Sequence, residues 1–241
     1  GQQGGLAQMP GGLPDQQRDV AVARDARQRL VQIGDQADRA DGRRRQDPLA
    51  VGFVVKRHVP RHDREFQRDA GFANAGFGEA ANPLKLELED FHRILATNLD
   101  GAFLTIRESL TSMRQTDWGR VIAVSSIAGL RGLKGAPAYT ASKHGLIGLI
   151  KGLAADYLGK PYTFNALCPA YVDTEIVPSN IARIMERTGM SREEAEKIVI
   201  GANPHGRLIT SEEVAEAALW LCAPQSASVN GQAIQIAGGE F

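Results

Sequence analysis

Two cysteines in 241 residues, Cys168 and Cys222, cannot build a disulfide framework. Both lie in apolar runs and read as buried free thiols of a reducing compartment. Charge of one sign is also missing: 28 basic side chains balance 28 acidic ones, for a formal net charge of zero. The basic surplus of a nucleic-acid binder is therefore lacking. No stretch approaches the roughly 18 consecutive apolar residues that a spanning helix needs. The opening GQQGGLAQMP has neither the basic start nor the apolar middle of a secretory signal. These features predict a cytoplasmic protein with no nucleic-acid and no membrane partner. What is present is a hydrophobic content of 43%, which excludes a charge-driven disordered chain. The length suits one medium α/β domain or two small ones.

Lysine and glutamate are nearly missing from residues 1–70, which hold 12 Arg but only Lys56, and nine Asp but only Glu65. Residues 71–241 hold nine Arg, six Lys, five Asp and 13 Glu. The first part is net +3 and the second net −3. Solvation hardly separates Asp from Glu, so this skew has no physical motive. The first part also has only 14 Leu, Ile, Val and Phe, about the level at which a chain struggles to bury a core. It reads as an anomalous segment: a misread translation of a GC-rich gene, disorder, or a remodelled amino-terminal half. Within it, LAVGFVV (49–55) is a strand candidate, RQRLVQI a weak helix, and GQQGGLAQMPGGLP and DGRRRQDP are loops. Residues 71–241 read as the larger portion of one domain.

That second part alternates between strand and helix patterns. Leu88, Phe91, Leu95 and Leu99 fall at helical spacing, predicting one long or two abutting helices over 86–115. GRVIAVSS (119–126) and TFNALCP (163–169) are apolar runs of the kind that make buried parallel strands. A Gly-rich loop (127–138) leads into a helix over 139–158. Two short helices are expected within 178–200, and a capping-box pattern at Thr210 and Glu213 opens another over 210–223. GQAIQIAGG (231–239) is a last strand. The order predicts an α/β fold: a Rossmann-like parallel sheet with helices on both faces.

Tyr139 and Lys143 stand four apart at the start of a helix, which puts both heads on one face. A phenol ordinarily titrates at about 10, too high for a base near neutrality. A neighbouring ammonium favours the phenolate, so the pair is expected to have a lowered Tyr139 pKa and to work as acid and base. Ser126 ends the apolar strand 13 residues upstream, at the carboxyl edge where open α/β sheets bind ligands. Asn98 lies inside a helix, where asparagine is a poor former and needs a reason. CPAYVDT (168–174) brings a proline turn and a threonine hydroxyl to the same edge.

Together NAG (74–76), NLDGAF (98–103), VSS (124–126), YTASK (139–143), CPAYVDT (168–174) and the terminal GQAIQIAGGEF resemble the short-chain dehydrogenase/reductase family over about residues 72–241. The resemblance implies an enzyme using NAD or NADP. It implies that Tyr139 exchanges a proton with a ketone or secondary alcohol, and that Lys143 lowers the tyrosine pKa and bonds the nicotinamide ribose. Ser126 would orient the substrate oxygen, and Asn98 would hold a water of a proton relay. Asn74, Ala75 and Gly76 would line the adenine and ribose side, and Pro169, Val172 and Thr174 would fix the nicotinamide. It further implies a homo-tetramer formed through helices 100–115 and 139–158. The lid segment 176–209, lined by Ile176, Val177, Ile181, Ile184 and Met185, resembles members acting on 3-hydroxyacyl or 3-oxoacyl small molecules, as thioester or free acid.

The glycine-rich turn with which that family opens, Thr-Gly-xxx-Gly-x-Gly, is not recognisable here. Ala73 replaces a usual Asn, and Ala170 a usual Gly. A second reading follows: a cofactor-deficient, non-catalytic homologue that keeps only the association surfaces. Other residues read blandly. His58 and His62 flank Pro60 without partner ligands, so no metal is expected. Trp118 and Trp220 read as packing residues, His144 as packed beside its helix, and His205 as a turn residue near the lid. Arg131 and Lys134 read as solvated loop residues within reach of an anionic substrate.

Overall fold

The computed structural model describes residues 52–61, 64–78, 81–174 and 176–239. The expectations for residues 1–50, including the weak helix and the loops, lie outside the described residues. Five strands form one sheet in the order β1 (Gly52–Arg61), β2 (Arg64–Ala73), β3 (Gly119–Val124), β4 (Tyr162–Pro169) and β5 (Ala233–Ile236). Strands β2 to β5 run parallel, as expected of segments separated by helices. The expected parallel sheet with helices on both faces is present, and one further strand lies outside that pattern. β1 is antiparallel to β2, in a register running from Gly52 opposite Ala73 to Arg61 opposite Arg64. Two chain segments joined by so short a connection can only pair as a hairpin. Of the strand candidate at 49–55, residues 52–55 belong to a longer strand that covers the edge of β2, and 49–51 lie outside the described residues.

The helices are α1 (Leu88–Leu95), α2 (Gly101–Met113), α3 (Pro137–Asp156), α4 (Ile176–Thr188), α5 (Arg192–Gly201) and α6 (Ser211–Cys222). A π turn, Ala96–Asp100, joins α1 to α2, so the long pattern at 86–115 becomes two abutting helices. Leu88 does not share the buried face that its spacing suggests: at the first position of α1 it is 67% exposed.

Alternate strand residues divide between two cores, because successive side chains leave a strand on opposite faces. Val121, Ala123, Phe164, Ala166 and Cys168 pack against α2 and α3 through Ile106, Leu110, Leu146 and Ile150. Phe72, Ile122 and Leu167 pack against α6 through Ala218 and Leu221. Helices on both faces follow. Trp118 packs at the edge of the second core with the Arg120 guanidinium 4.6 Å from its ring centroid. Trp220 does not pack as expected: it sits on the outer side of α6 and is 49% exposed. Capping boxes at Ser191 with Glu194, and at Thr210 with Glu213, start α5 and α6. Among the described residues no helix is long and apolar enough to cross a membrane. Also among them, no group of His, Cys, Asp and Glu could hold a metal ion.

Candidate active site

The carboxyl ends of β2, β3 and β4 converge on the start of α3. β3 stops at Val124, and Ser126 caps the short 3-10 turn Ile127–Gly129, its Oγ accepting the Ala128 N–H at 3.1 Å. The capped turn holds the Ser126 hydroxyl beside the Tyr139 phenol, whose pKa it acts to lower. Pro137 opens α3, where a missing N–H costs nothing, and places Tyr139 in the first turn. Lys143 follows one turn later on the same face, with Nζ 5.7 Å from the Tyr139 ring centroid.

Lys143 is 4% exposed, and its Nζ donates to Val124 O at 2.9 Å. Burial of the ammonium holds its pKa down at about 8. The phenol behaves differently from the sequence expectation of a lowered pKa. Desolvation pushes Tyr139 up, the Ser126 hydroxyl opposes that, and the Tyr171 phenol adds to it. The lysine is not among the causes of this shift; its ammonium donates to the Val124 carbonyl and is itself disfavoured by burial. Cys168 lies below, fully buried, its thiol pushed up to about 11 by desolvation against the opposing effects of Ser126, Lys143 and Ser125.

Asn98 sits in the π turn, fully buried, and its amide is saturated. Nδ2 donates to Phe77 O and to Ser142 Oγ, each at 2.9 Å, and Oδ1 accepts Phe77 N–H at 2.9 Å. Ser142 Oγ in turn donates to Tyr139 O at 2.8 Å. The poor helix former thus has its reason: one amide ties the segment after β2, the π turn and α3 together. π turns are common at functional sites because they turn a side chain out of the regular ladder.

Asn74, Ala75 and Gly76 leave β2 and run past this cluster. A Cβ on Gly76 would lie 3.0 Å from Lys143 Nζ and 3.2 Å from Asn98 Oδ1, so only glycine lets this backbone so near the pair. A Cβ on Gly78 would meet the Tyr139 ring at 2.9 Å. Pro169 ends β4, Val172 forms an isolated parallel bridge with Ile209, and Thr174 lies beyond. Thr174 faces a shallow cleft of about 250 Å³ between α4 and α5, lined by Val177, Ile181, Val199 and Leu208.

Asn98, Ser126, Tyr139, Lys143 and Gly76 are therefore one cluster, with Pro169 next to its Cys168 floor. Asn74 and Ala75 reach it by sequence adjacency, and Val172 and Thr174 lie along the exit of β4. His205 packs instead on the turn of Gly238, whose hypothetical Cβ would meet its ring at 2.5 Å. His144 is exposed on α3 with Nδ1 3.0 Å from Thr140 O. Arg131 and Lys134 are exposed, as expected of loop residues. The side chains of His58 and His62 lie outside the described residues. Sequence reasoning gave no role of their own to Ser125, whose Oγ donates to Lys143 O at 3.1 Å, or to Ser142. Ser142 had a signal: at three residues after Tyr139 a serine Oγ can bond back to the tyrosine carbonyl.

A phenol hydrogen-bonded by a hydroxyl, beside a buried ammonium, can pass a proton to or from an oxygen held against both hydroxyls. Known proteins resemble this chain in sequence and fold. D-beta-hydroxybutyrate dehydrogenase of Rhizobium meliloti is 33% identical over 69% of this chain and 65% of that protein. A 3-oxoacyl-[acyl-carrier-protein] reductase of Aquifex aeolicus is 32% identical over 70% of this chain and 63% of its own length. The crystal structure of an actinorhodin polyketide ketoreductase with NADPH superposes with a TM-score of 0.67 at 32% identity, covering 70% of this chain and 65% of that one. The chain thus spans about 65% of the length of the first curated relative. A family model described as enoyl-(acyl carrier protein) reductase matches residues 55–240, and the chain belongs to the short-chain dehydrogenase/reductase family.

Proposed function

We propose that this chain interconverts a secondary alcohol and a ketone with a nicotinamide dinucleotide, NAD or NADP. The observation that carries the reading is the Ser126 hydroxyl on the Tyr139 phenol, with Lys143 one helical turn further on. Tyr139 donates its proton to the ketone oxygen in reduction and takes it back in oxidation. Ser126 polarises the same oxygen. Asn98 holds the segment after β2 against α3, and Lys143 supplies positive charge under the phenol. The residues fit the nicotinamide half of a dinucleotide. Gly76 brings backbone to the lysine ammonium, and Asn74, Ala75, Pro169, Val172 and Thr174 flank it at the carboxyl edge where open sheets bind such groups. When bound, the nicotinamide supplies or accepts the hydride.

The substrate class we favour is a 3-hydroxyacyl or 3-oxoacyl small molecule, thioester or free acid. Two of the relatives are named for such compounds, and the α4–α5 cleft joins an apolar wall of Val177, Ile181, Val199 and Leu208 to the charged side chains of Asp173, Arg192 and Glu196. The free thiols suit a reducing compartment, and we place the protein in the cytoplasm. We further propose a homo-tetramer through the outer faces of α2 and α3.

The test uses the full chain. Fluorescence titration with NADH and NADPH measures binding, and loss of nicotinamide absorbance with an acetoacetyl thioester or acetoacetate measures turnover. Tyr139→Phe is expected to abolish turnover while dinucleotide affinity stays within about twofold, since only the transferred proton is lost. A Tyr139→Phe enzyme that still turns over would exclude this chemistry.

A further inference from the structure

Asn203 belongs to no motif, yet it is 1% exposed, an unusual place for an amide unless its polar atoms are satisfied. It follows the last turn of α5. Its Oδ1 accepts Tyr171 N–H at 3.1 Å, and its Nδ2 donates to Tyr171 O and to Arg207 O, both at 2.8 Å. A single side chain thus pairs with both peptide groups of one residue, as a neighbouring strand would. Real strand pairing continues the pattern alongside. Ile209 N–H donates to Tyr171 O at 3.0 Å, Asp173 N–H donates to Ile209 O at 2.8 Å, and Val172 bridges Ile209.

These bonds join the exit of β4 to the approach to α6. Everything between them is the excursion of α4 and α5. The two helices pack on each other through Ile181, Ala195 and Val199, and the Tyr171 ring packs on that small core. Both stems of the excursion therefore meet at Asn203. The same peptide stretch carries Val172 and Thr174, and the Tyr171 phenol stands within electrostatic range of Tyr139.

We infer that Asn203 is a positioning residue, whose buried amide sets the loop 171–174 and holds the α4–α5 lid in register over the Tyr139 site. It touches no reacting atom. Its effect is to keep the wall made by Tyr171, and the nicotinamide-side residues Val172 and Thr174, at one fixed distance from the catalytic pair. Because the kinetic consequence rests on the proposed alcohol–ketone chemistry, the experiment has one arm that needs no turnover.

In that arm the full chain and its Asn203→Ala variant are digested with trypsin under native conditions. Arg183, Arg187 and Arg192 report opening of the lid, and Arg107 reports opening of α2. Helical sites are cut only after local unfolding, so the rates measure local stability. The variant is expected to be cut about tenfold faster at the lid sites, as suits loss of a buried hydrogen-bond network, with the α2 site unchanged. In the second arm, KM for dinucleotide and ketone rises about tenfold while the kcat–pH profile keeps its position, because lost ground-state positioning falls on KM. A purely structural role would lower the active fraction instead, dropping kcat with KM unmoved. Should Asn203→Ala fail to fold, Asn203→Ser, which keeps a hydroxyl for the Tyr171 peptide, carries the same comparison. Lid sites cut no faster than in the parent chain, or lid and α2 sites accelerating together, would overturn the inference. A parent chain without turnover refutes the alcohol–ketone reading alone, and the protease arm still decides this one.

Discussion

Lys143 and Tyr139 are both displaced from their ordinary pKa values in the direction that favours their neutral forms, and both by burial. For the lysine the change is from 10.5 to about 8. Below pH 8 the ammonium is charged in both the folded and the unfolded chain, and its burial costs roughly 3 kcal/mol. Above pH 8 the folded chain releases this proton while the unfolded chain still holds it, so stability rises with pH. Above about 9 the thiols reverse the trend, because folded Cys168 and Cys222 are pushed up to about 11 and about 12 and stay protonated after the unfolded thiols ionise. The window for the lysine is therefore pH 8 to 9. Lys143→Met is expected to be more stable at pH 7 by about 2 kcal/mol, after allowing about 1 kcal/mol for the Val124 carbonyl left without its donor. Urea unfolding at pH 7, 8 and 9 checks both parts: the parent chain should gain stability across the window, and the variant should not. A variant that is less stable at pH 7 would show that the hydrogen bond outweighs the desolvation.

The contact of α2 with β2 depends on one missing side chain. A Cβ on Gly71 would lie 2.4 Å from Ser109 Oγ and 2.7 Å from its Cβ, far inside van der Waals contact. Gly71→Ala is expected to push the helix off the strand and cost about 1–3 kcal/mol, as overpacking does. Ser109→Gly in that background removes both clashing atoms and should recover the loss down to the ~1 kcal/mol that a helix glycine itself costs. Thermal unfolding of the two single variants and the double variant measures the coupling, and simple additivity would refute the close contact. At this scale the sequence was legible wherever periodicity or a cap acts locally. Pro137, the box at Thr210 and Glu213, and the apolar runs of β3 and β4 mark their elements without any tertiary help. β2 was not legible, because REFQRD carries no apolar alternation and is a strand by virtue of its pairing with β1, with β3 joining only from Asp69 onward. The hairpin direction of β1 was equally hidden, since an apolar run does not encode which neighbour it joins. Within the site, spacing alone put Tyr139 and Lys143 on one face. It could not show the rise of the phenol pKa or the saturation of Asn98, which depend on what the rest of the fold brings near.

Among the described residues, α2 and α3 each present small or apolar residues to the outside. On α2, Phe103 and Leu104 are each 44% exposed. On α3, Gly148 and Gly152 are exposed, and a Cβ at either would meet nothing within 4 Å. Exposed small residues one turn apart let another helix approach closely, and half-exposed apolar side chains nearby would be buried when it does. A second copy of the same chain offers the same face, and self-complementary faces give closed twofold contacts, two sets of which make a tetramer. Gly148→Arg tests this without touching the protomer, because the new side chain enters open space. Light scattering should show the parent chain as a tetramer and the variant as a smaller species, with the circular dichroism spectrum unchanged. The thermal midpoint of the parent should rise with protein concentration, as mass action requires of a folded state stabilised by association, and that dependence should weaken in the variant. A parent chain of monomer mass, or a variant of undiminished mass, would remove these two helices from the interface.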